Sequence, residues 1–311
     1  MDSMKTPRVS AIILDYNLTE YTIECIRSLQ AVNYPSLDIL VIDNGSKDHP
    51  AQRLSRLFPT VQVRSTGDNL GYTGGINAGF KIAMESTPDY ILVLNPDTEV
   101  DPAFLTHLVK AMEDDLNAAG ACGTIYAHHD RTLVWYAGGR MVPWRGLALH
   151  DYMNEHRDPS TLGSPVRVSF ITGCLILFRA SSLAKVGWED ERFFMVLDDI
   201  EFSARILRHG YSLIYVPQAV IYHKILGEKE SPFKLYYAIR NRLLLINVAF
   251  GGFNRLVAKL WFLSALSLKL LVWAFMNRAF YRAARMGIAD YFQGRFFRGR
   301  GVDVFKYRED S

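Results

Sequence analysis

The sequence predicts an α/β chain, with a mostly parallel sheet flanked by helices and then a basic amphipathic helical region. Three observations predict this. Short apolar runs alternate with helix-like segments through residues 9–112. Two acidic patches, NPDTE at 95–99 and the aspartate pair 198–199, follow apolar segments far apart in the chain. Charge is divided unevenly: residues 1–223 carry 19 Lys and Arg against 26 Asp and Glu, whereas residues 224–311 carry 16 against 6.

The elements follow in order. Residues 9–14 are an apolar run short enough for a buried strand. Residues 19–32 read as a helix, with Ile23, Ile26 and Leu29 on one face and Pro35 beyond its end. Strand and helix then alternate: strand 37–42, helix 48–57, strand 61–64, helix 73–84, strand 90–94 and helix 102–112. Strands separated by helices of this length imply a parallel sheet covered on both faces, whose ligands bind at the carboxyl ends of the strands. Residues 120–165, rich in Gly, His, Trp and Pro, read as β-ribbon and loop. Order returns with the apolar run 168–178, a carboxylate-bearing helix after it, and strand 212–216. From Pro232 the chain becomes helical and basic. The expected division is a catalytic unit over 1–230, with halves at about 8–125 and 126–230, and a helical region over 231–311.

Composition narrows the class. The chain has 311 residues and 49% hydrophobic content, enough for a full core and too much for disorder. Cys25, Cys122 and Cys174 are widely spaced, which reads as reduced thiols in a cytosolic protein. The first eight residues lack an apolar signal-peptide core, so no signal peptide is expected. The acidic first 223 residues argue against nucleic acid as a partner. The basic tail points instead to an anionic membrane surface.

Four patterns suggest chemistry. VIDNGS at 41–46 places Asp43 just past a strand. It would accept a nucleobase N–H, or else simply close a turn. DNLGYTGGINAG at 68–79 lets the backbone approach a ligand at Gly71, Gly74 and Gly75, with Thr73 positioned to cap the next helix. In LNPDTE, Asp97 is the best-placed ligand for Mg²⁺ or Mn²⁺, with Asn95 as a neutral oxygen donor; the alternative is a turn leading into the helix at 102. Finally, Asp198 and Asp199 adjoin at a helix start. Like charges this close raise each other's proton affinity, as a base for an attacking hydroxyl requires. The bland alternative is a helix N-terminus that favours negative charge. Arg205, four residues after Glu201, reads as its ion-pair partner. Trp188, Phe193 and Phe194 wall an acceptor site or join the core.

Taken in order, IILDYN, VIDNGS, NLGYTGGINAG, LNPDTE, TGCLILFR, DERFF with its DDIE block and the late His223 resemble family 2 glycosyltransferases of the Rossmann-like GT-A fold. The bacterial rhamnosyltransferase-like branch is the nearest in pattern, and the likeness runs over about residues 8–245. The resemblance implies that Tyr16 stacks on the base, with Asn17, Asp43, Asn44 and Asn77 around the nucleotide sugar. It implies a metal motif at Asn95-Pro96-Asp97, a metal or diphosphate contact for His223, and Asp199 as catalytic base with Asp198 beside it. Asn95 stands where many relatives carry Asp, and Asp198 where they carry Glu. The resulting expectation is inverting transfer of a sugar, with rhamnose from dTDP-rhamnose foremost and a dTDP- or UDP-sugar more generally, to a lipid-linked saccharide in cell-surface polysaccharide synthesis.

The tail fits that acceptor. Residues 256–280 are rich in Leu, Trp and Phe but interrupted by Lys259, Lys269 and Arg278, which suggests a helix in the membrane interface rather than a span. Trp261, Phe262, Trp273 and Phe275 would enter the acyl boundary. This places the protein on the cytoplasmic face of the membrane; a homodimer surface is the other use for such a helix. Two different functions remain. A nucleotidyltransferase would need a basic, glycine-rich signature after the first strand, where DYNLTE stands. A non-enzymatic membrane scaffold would leave both acidic patches unexplained.

Overall fold

The computed structural model describes residues 6–224 and 230–299. The first five residues, and the last twelve of the expected helical region, lie outside the described residues. So do residues 225–229, next to the expected boundary at 230.

The strands are β1 Val9–Asp15, β2 Leu37–Asp43, β3 Gln62–Ser65, β4 Tyr90–Leu94, β5 Thr98–Val100, β6 Ala118–Ala127, β7 Asp130–Tyr136, β8 Gly139–Val142, β9 Leu147–His150, β10 Val166–Val168, β11 Leu175–Arg179 and β12 Ser212–His223. The helices are α1 Thr19–Gln30, α2 Ala51–Leu57, α3 Gly71–Glu85, α4 Phe104–Asp114, α5 Ala180–Val186, α6 Asp198–Arg208, α7 Pro232–Ala249, α8 Gly252–Met276 and α9 Arg278–Phe292.

One ten-stranded sheet runs in the order β10-β12-β6-β11-β4-β1-β2-β3, with β5 on β12 and β7 on β6. The N-terminal strands β1 to β4 are parallel; β1 and β4 are buried throughout, as their apolar runs require, while β3 is a mostly exposed edge strand. The order reverses between β1 and β4, so the loops after these two strands diverge and leave a crevice. Antiparallel β11 enters between β4 and β6 and joins the N-terminal strands to the later ones.

The structure refines several expectations. The apolar run 168–178 supplies only the end of β10 and most of β11, because residues 169–174 form an irregular link. The strand expected at 212–216 continues to His223, across a bulge between Val216 and Val220. α3 begins at Gly71, and Thr73 lies inside its first turn with a buried, unpartnered hydroxyl, so Thr73 is not the cap.

The C-terminal helices pack as a layer. α7 lies against α9, and Leu235, Ile239, Leu243 and Ile246 of α7 meet Ala258, Phe262 and Leu266 of α8. Only these three residues of α8 are buried; Phe253, Leu260, Leu268, Leu271 and Phe275 are exposed. Phe262 faces inward, against the sequence expectation that it would meet lipid, while Trp261 and Phe275 face outward. At 25 residues α8 is long and apolar enough to cross a membrane by length and composition, despite Lys259 and Lys269.

Candidate active site

The β1/β4 crevice opens into a cavity of about 700 Å³. Its walls follow from the sheet order: Leu14, Tyr16 and Asn17 come from the end of β1, Asn44 from the end of β2, and Asn95, Pro96 and Asp97 from the end of β4. Gly71 and Tyr72 open α3 on another side, and Trp135, Phe194, His223 and Lys234 complete the enclosure.

Asp97 and His223 meet on this wall. β5 pairs with the end of β12 so that Thr98 faces His223, and His223 Nε2 lies 2.9 Å from Asp97 Oδ2. Both side chains are over 90% buried, and His223 Nδ1 has no hydrogen-bond partner. Among the described residues no set of three or more His, Cys, Asp or Glu side chains is arranged around a metal position. Divalent cations in phosphate-transfer sites are commonly held by one or two protein ligands plus substrate phosphates. The acidic Asp97, the His223 imidazole with an unused nitrogen and the neighbouring Asn95 amide fit that donor set.

The other expected nucleotide residues divide into walls and supports. Asn17 adopts φ +58° at the cavity mouth, with its Oδ1 accepting the Lys47 N–H. Asn44 Nδ2 donates to the Gly71 carbonyl at 2.9 Å and its Oδ1 accepts the Leu70 N–H, holding the glycine loop in place. Asp43 is buried, and its carboxylate accepts from the Ser46 N–H and the Ser65 hydroxyl, closing the turn after β2 behind the cavity wall. Gly74 and Gly75 pack inward, where an added Cβ would stand 2.8 Å from Leu70 and 2.5 Å from Leu14. Asn77 straps residues 189–191 to α3: its Nδ2 donates to the Glu189 carbonyl and Glu191 Oε1, and its Oδ1 accepts the Glu189 N–H.

The aspartate pair lies at the same rim of the sheet. The Asn95 N–H donates to the Cys174 carbonyl, and the preceding residue, Gly173, donates its N–H to Asp199 Oδ2 at 3.2 Å. Tyr72, from the cavity wall, donates its hydroxyl to the Gly173 carbonyl at 2.8 Å. Asp199 therefore stands one short link behind the residues that line the cavity. Burial raises the pKa of Asp199, against the Gly173 N–H and the nearby His150, which lower it. Burial and then the charge of Asp199 push Asp198 up to about 8. Glu189, buried with an unpartnered Oε2, is also raised well above the usual carboxylate range by burial and by Asp198. Glu201 and Arg205 form the expected i,i+4 pair, closing at 2.9 Å in a mostly buried setting. Phe194 walls the cavity, Phe193 is fully buried core, and Trp188 packs beside Phe80.

A family model for glycosyl transferase family 2 matches residues 10–187. The chain belongs to that family. A relative from Mycobacterium tuberculosis, N-acetylglucosaminyl-diphospho-decaprenol L-rhamnosyltransferase, is 28% identical over 231 residues, covering 67% of this chain and 73% of its own length. Poly-beta-1,6-N-acetyl-D-glucosamine synthase of Staphylococcus aureus is 23% identical over 217 residues, and the chain spans only 48% of it. Among solved structures, the mannosyltransferase PcManGT from Pyrobaculum calidifontis in complex with GDP-Man and Mn²⁺ aligns with a TM-score of 0.58 at 13% identity, covering 94% of this chain and 89% of that one. S. aureus TarS aligns at 0.55 with 14% identity, covering 94% and 93%. At these identities the structural likeness shows the fold, which is GT-A with an added helical region.

In this family 2 glycosyltransferase two sets of residues have roles that the sequence patterns did not assign. Trp135, in the stretch read as β-ribbon and loop, has no role in those patterns, yet its ring contacts His150 and His223 at 4.8 and 5.1 Å between centroids. Arg240 and Asn241, in the segment YYAIRNR, are fully buried. Asn241 Nδ2 donates to the carbonyls of Phe193, Met195 and Val196. Arg240 donates to those of Arg192 and Phe193. The loop they hold contains Phe194, Val196 and Leu197 at φ +63°, +71° and +68°. Such values cost roughly 1–3 kcal/mol per non-glycine residue, and the loop delivers the chain directly to Asp198. The signal lay in the polar Arg240-Asn241 pair on the buried side of that helix.

Proposed function

We propose that the protein transfers a sugar, with rhamnose from dTDP-rhamnose as the leading donor, from a dTDP- or UDP-sugar to a lipid-linked saccharide, with inversion. The observation that carries this reading is the Asp97–His223 pair in the β1/β4 cavity, with Asp199 linked to the same rim through Gly173. Tyr16, Asn17, Asn44 and Gly71 would border the nucleotide, while Asp43, Gly74, Gly75 and Asn77 shape the cavity from behind. Asp97, Asn95 and His223 would hold a divalent cation, Mg²⁺ or Mn²⁺, which would stabilise charge on the leaving diphosphate. Lys234 adds positive charge to that wall.

Asp199 would take the proton of the acceptor hydroxyl as it attacks the anomeric carbon. Its proton affinity, raised by burial, suits it to this work. Asp198, mostly protonated at neutral pH, would donate a hydrogen bond rather than compete as base. The helical region from residue 231 is assigned to the cytoplasmic face of the membrane, held by the exposed apolar side of α8.

The decisive experiment is Asp199→Asn. Transfer of radiolabelled sugar should fall by about 10²–10⁴-fold, while stabilisation of the protein by dTDP with Mn²⁺ stays intact. Retained turnover would remove Asp199 from the role of base.

A further inference from the structure

Away from the donor cavity, Arg145 and Arg242 meet where the β8–β9 hairpin rests on the C-terminal helices. Arg145 ends the single 3₁₀ turn Pro143–Arg145 at the tip of the hairpin. Arg242 lies on α7, and its Nη2 donates to the Arg145 carbonyl at 2.9 Å. The Arg242 guanidinium also stands 4.8 Å from the ring centre of Phe262 on α8. Gly146 makes the approach possible: it adopts φ +62°, and a Cβ there would stand 2.4 Å from Ile246.

Nothing negative answers this pair. Among the described residues neither arginine has a carboxylate partner, and both Nε atoms are buried without a hydrogen-bond acceptor. Burial, and then the charge of Arg145, lowers the pKa of Arg242. Two partly buried cations close enough to feel each other's charge, with unused donors, cost free energy until an anion meets them.

The surroundings indicate which anion. Trp144 and Trp261 meet edge to face at 5.6 Å, and each is nearly half exposed. They begin the apolar face of α8 that continues through Leu268, Leu271 and Phe275. At the other end of the hairpin His150 pairs with Gly139, beside Trp135 and within electrostatic reach of Asp199. The strand between them, Leu147–His150, spans roughly 10 Å at the usual rise per residue. One side of the turn thus leads to the catalytic carboxylates and the other to an apolar surface.

We propose that Arg145 and Arg242 hold the diphosphate of an isoprenoid-diphosphate-linked acceptor, whose hydrocarbon chain lies along α8 beside Trp144 and Trp261. This rests on the lipid-linked acceptor reading above. Two guanidinium forks match two adjacent anionic groups better than they match one headgroup. Bulk lipid phosphates have easier partners in Arg278, Arg282 and Arg285 of α9, all exposed.

The test titrates the full-length protein in neutral detergent with farnesyl diphosphate, farnesol, inorganic diphosphate and phosphatidylglycerol vesicles, following tryptophan fluorescence. Farnesyl diphosphate should bind at least about ten-fold more tightly than farnesol or inorganic diphosphate. Arg145→Gln and Arg242→Gln should each remove about ten-fold of that affinity and leave farnesol binding unchanged. Arg145 is at a turn, so Arg145→Gln should melt like the parent protein and keeps the test valid should Arg242→Gln fail to fold. Equal farnesyl diphosphate affinity in parent and Arg145→Gln protein overturns the proposal. So does a loss confined to phosphatidylglycerol vesicles, which assigns the pair to the bulk membrane. Stabilisation by dTDP with Mn²⁺, measured in parallel, reports on the donor reading independently of either result.

Discussion

His223 Nε2 lies 2.9 Å from Asp97 Oδ2, although Asp97, between β4 and β5, and His223, at the end of β12, are far apart in sequence. The contact is made by β5, a three-residue strand that turns the chain after Asp97 back along the end of β12. It puts the side chains proposed as metal ligands on one wall, at the point where the sheet order reverses. Asp97→Asn should lower transfer by about 10²-fold or more, and His223→Ala should raise the Mn²⁺ concentration needed for half-maximal activity. Steady-state rates across a Mn²⁺ titration check both; an unaltered Mn²⁺ dependence in both variants would detach the pair from the cation.

Asp198 links activity to the pH dependence of stability. Its folded-state pKa is raised to about 8 by burial and by Asp199, against about 3.9 in an unfolded chain. The unfolded state therefore releases its proton first as pH rises. The stabilisation is complete below pH ~4 and is lost progressively as pH climbs through about 8. Asp198→Asn should flatten the fall in melting temperature between pH 5 and 8. Thermal melts of both proteins at several pH values measure this, and parallel curves would refute it.

Asn241 supports the loop that leads into Asp198. Asn241→Ala removes the donor of the Met195 and Val196 carbonyls, while the Phe193 carbonyl keeps Arg240, at roughly 1–3 kcal/mol for each group left unsatisfied. Residues 192–197 should then exchange amide hydrogens faster and transfer should drop, with smaller effects on exchange in β1 and β4. Hydrogen-exchange mass spectrometry with a sugar-transfer assay checks this. Unchanged protection across 192–197 would show that Arg240 holds the loop alone.

The exposed face of α8 offers a separate test. Leu260 and Leu271 are largely exposed, so Leu260→Glu with Leu271→Glu should leave the fold intact. Each change removes apolar contact with the bilayer and adds a charge that anionic lipid repels. Co-sedimentation with anionic vesicles should be largely lost at an unchanged melting temperature. Undiminished co-sedimentation would count against an interfacial α8 and in favour of another use for that face.

By itself the sequence determined the alternating strands and helices of the first half and the acidic residues that end them. Buried parallel strands need continuous apolar runs, and a carboxylate just past such a run either faces the crevice, as Asp97 does, or closes the turn, as Asp43 does. The family motifs likewise made Tyr16, Asp97, Asp199 and His223 candidates, because their order along the chain survives in the residues themselves. Only the tertiary structure decided which candidates face the cavity. Asp43 and Asn77 spend their side chains on neighbouring loop groups, Phe262 turns inward, and Trp135 of β7 becomes part of the wall. Such roles depend on contacts between residues on different elements, from Asp43 with Ser65 to Asn77 with Glu189. They are set by the insertion of β11 beside β4 and by the docking of α7 on the 192–197 loop, which no local pattern encodes.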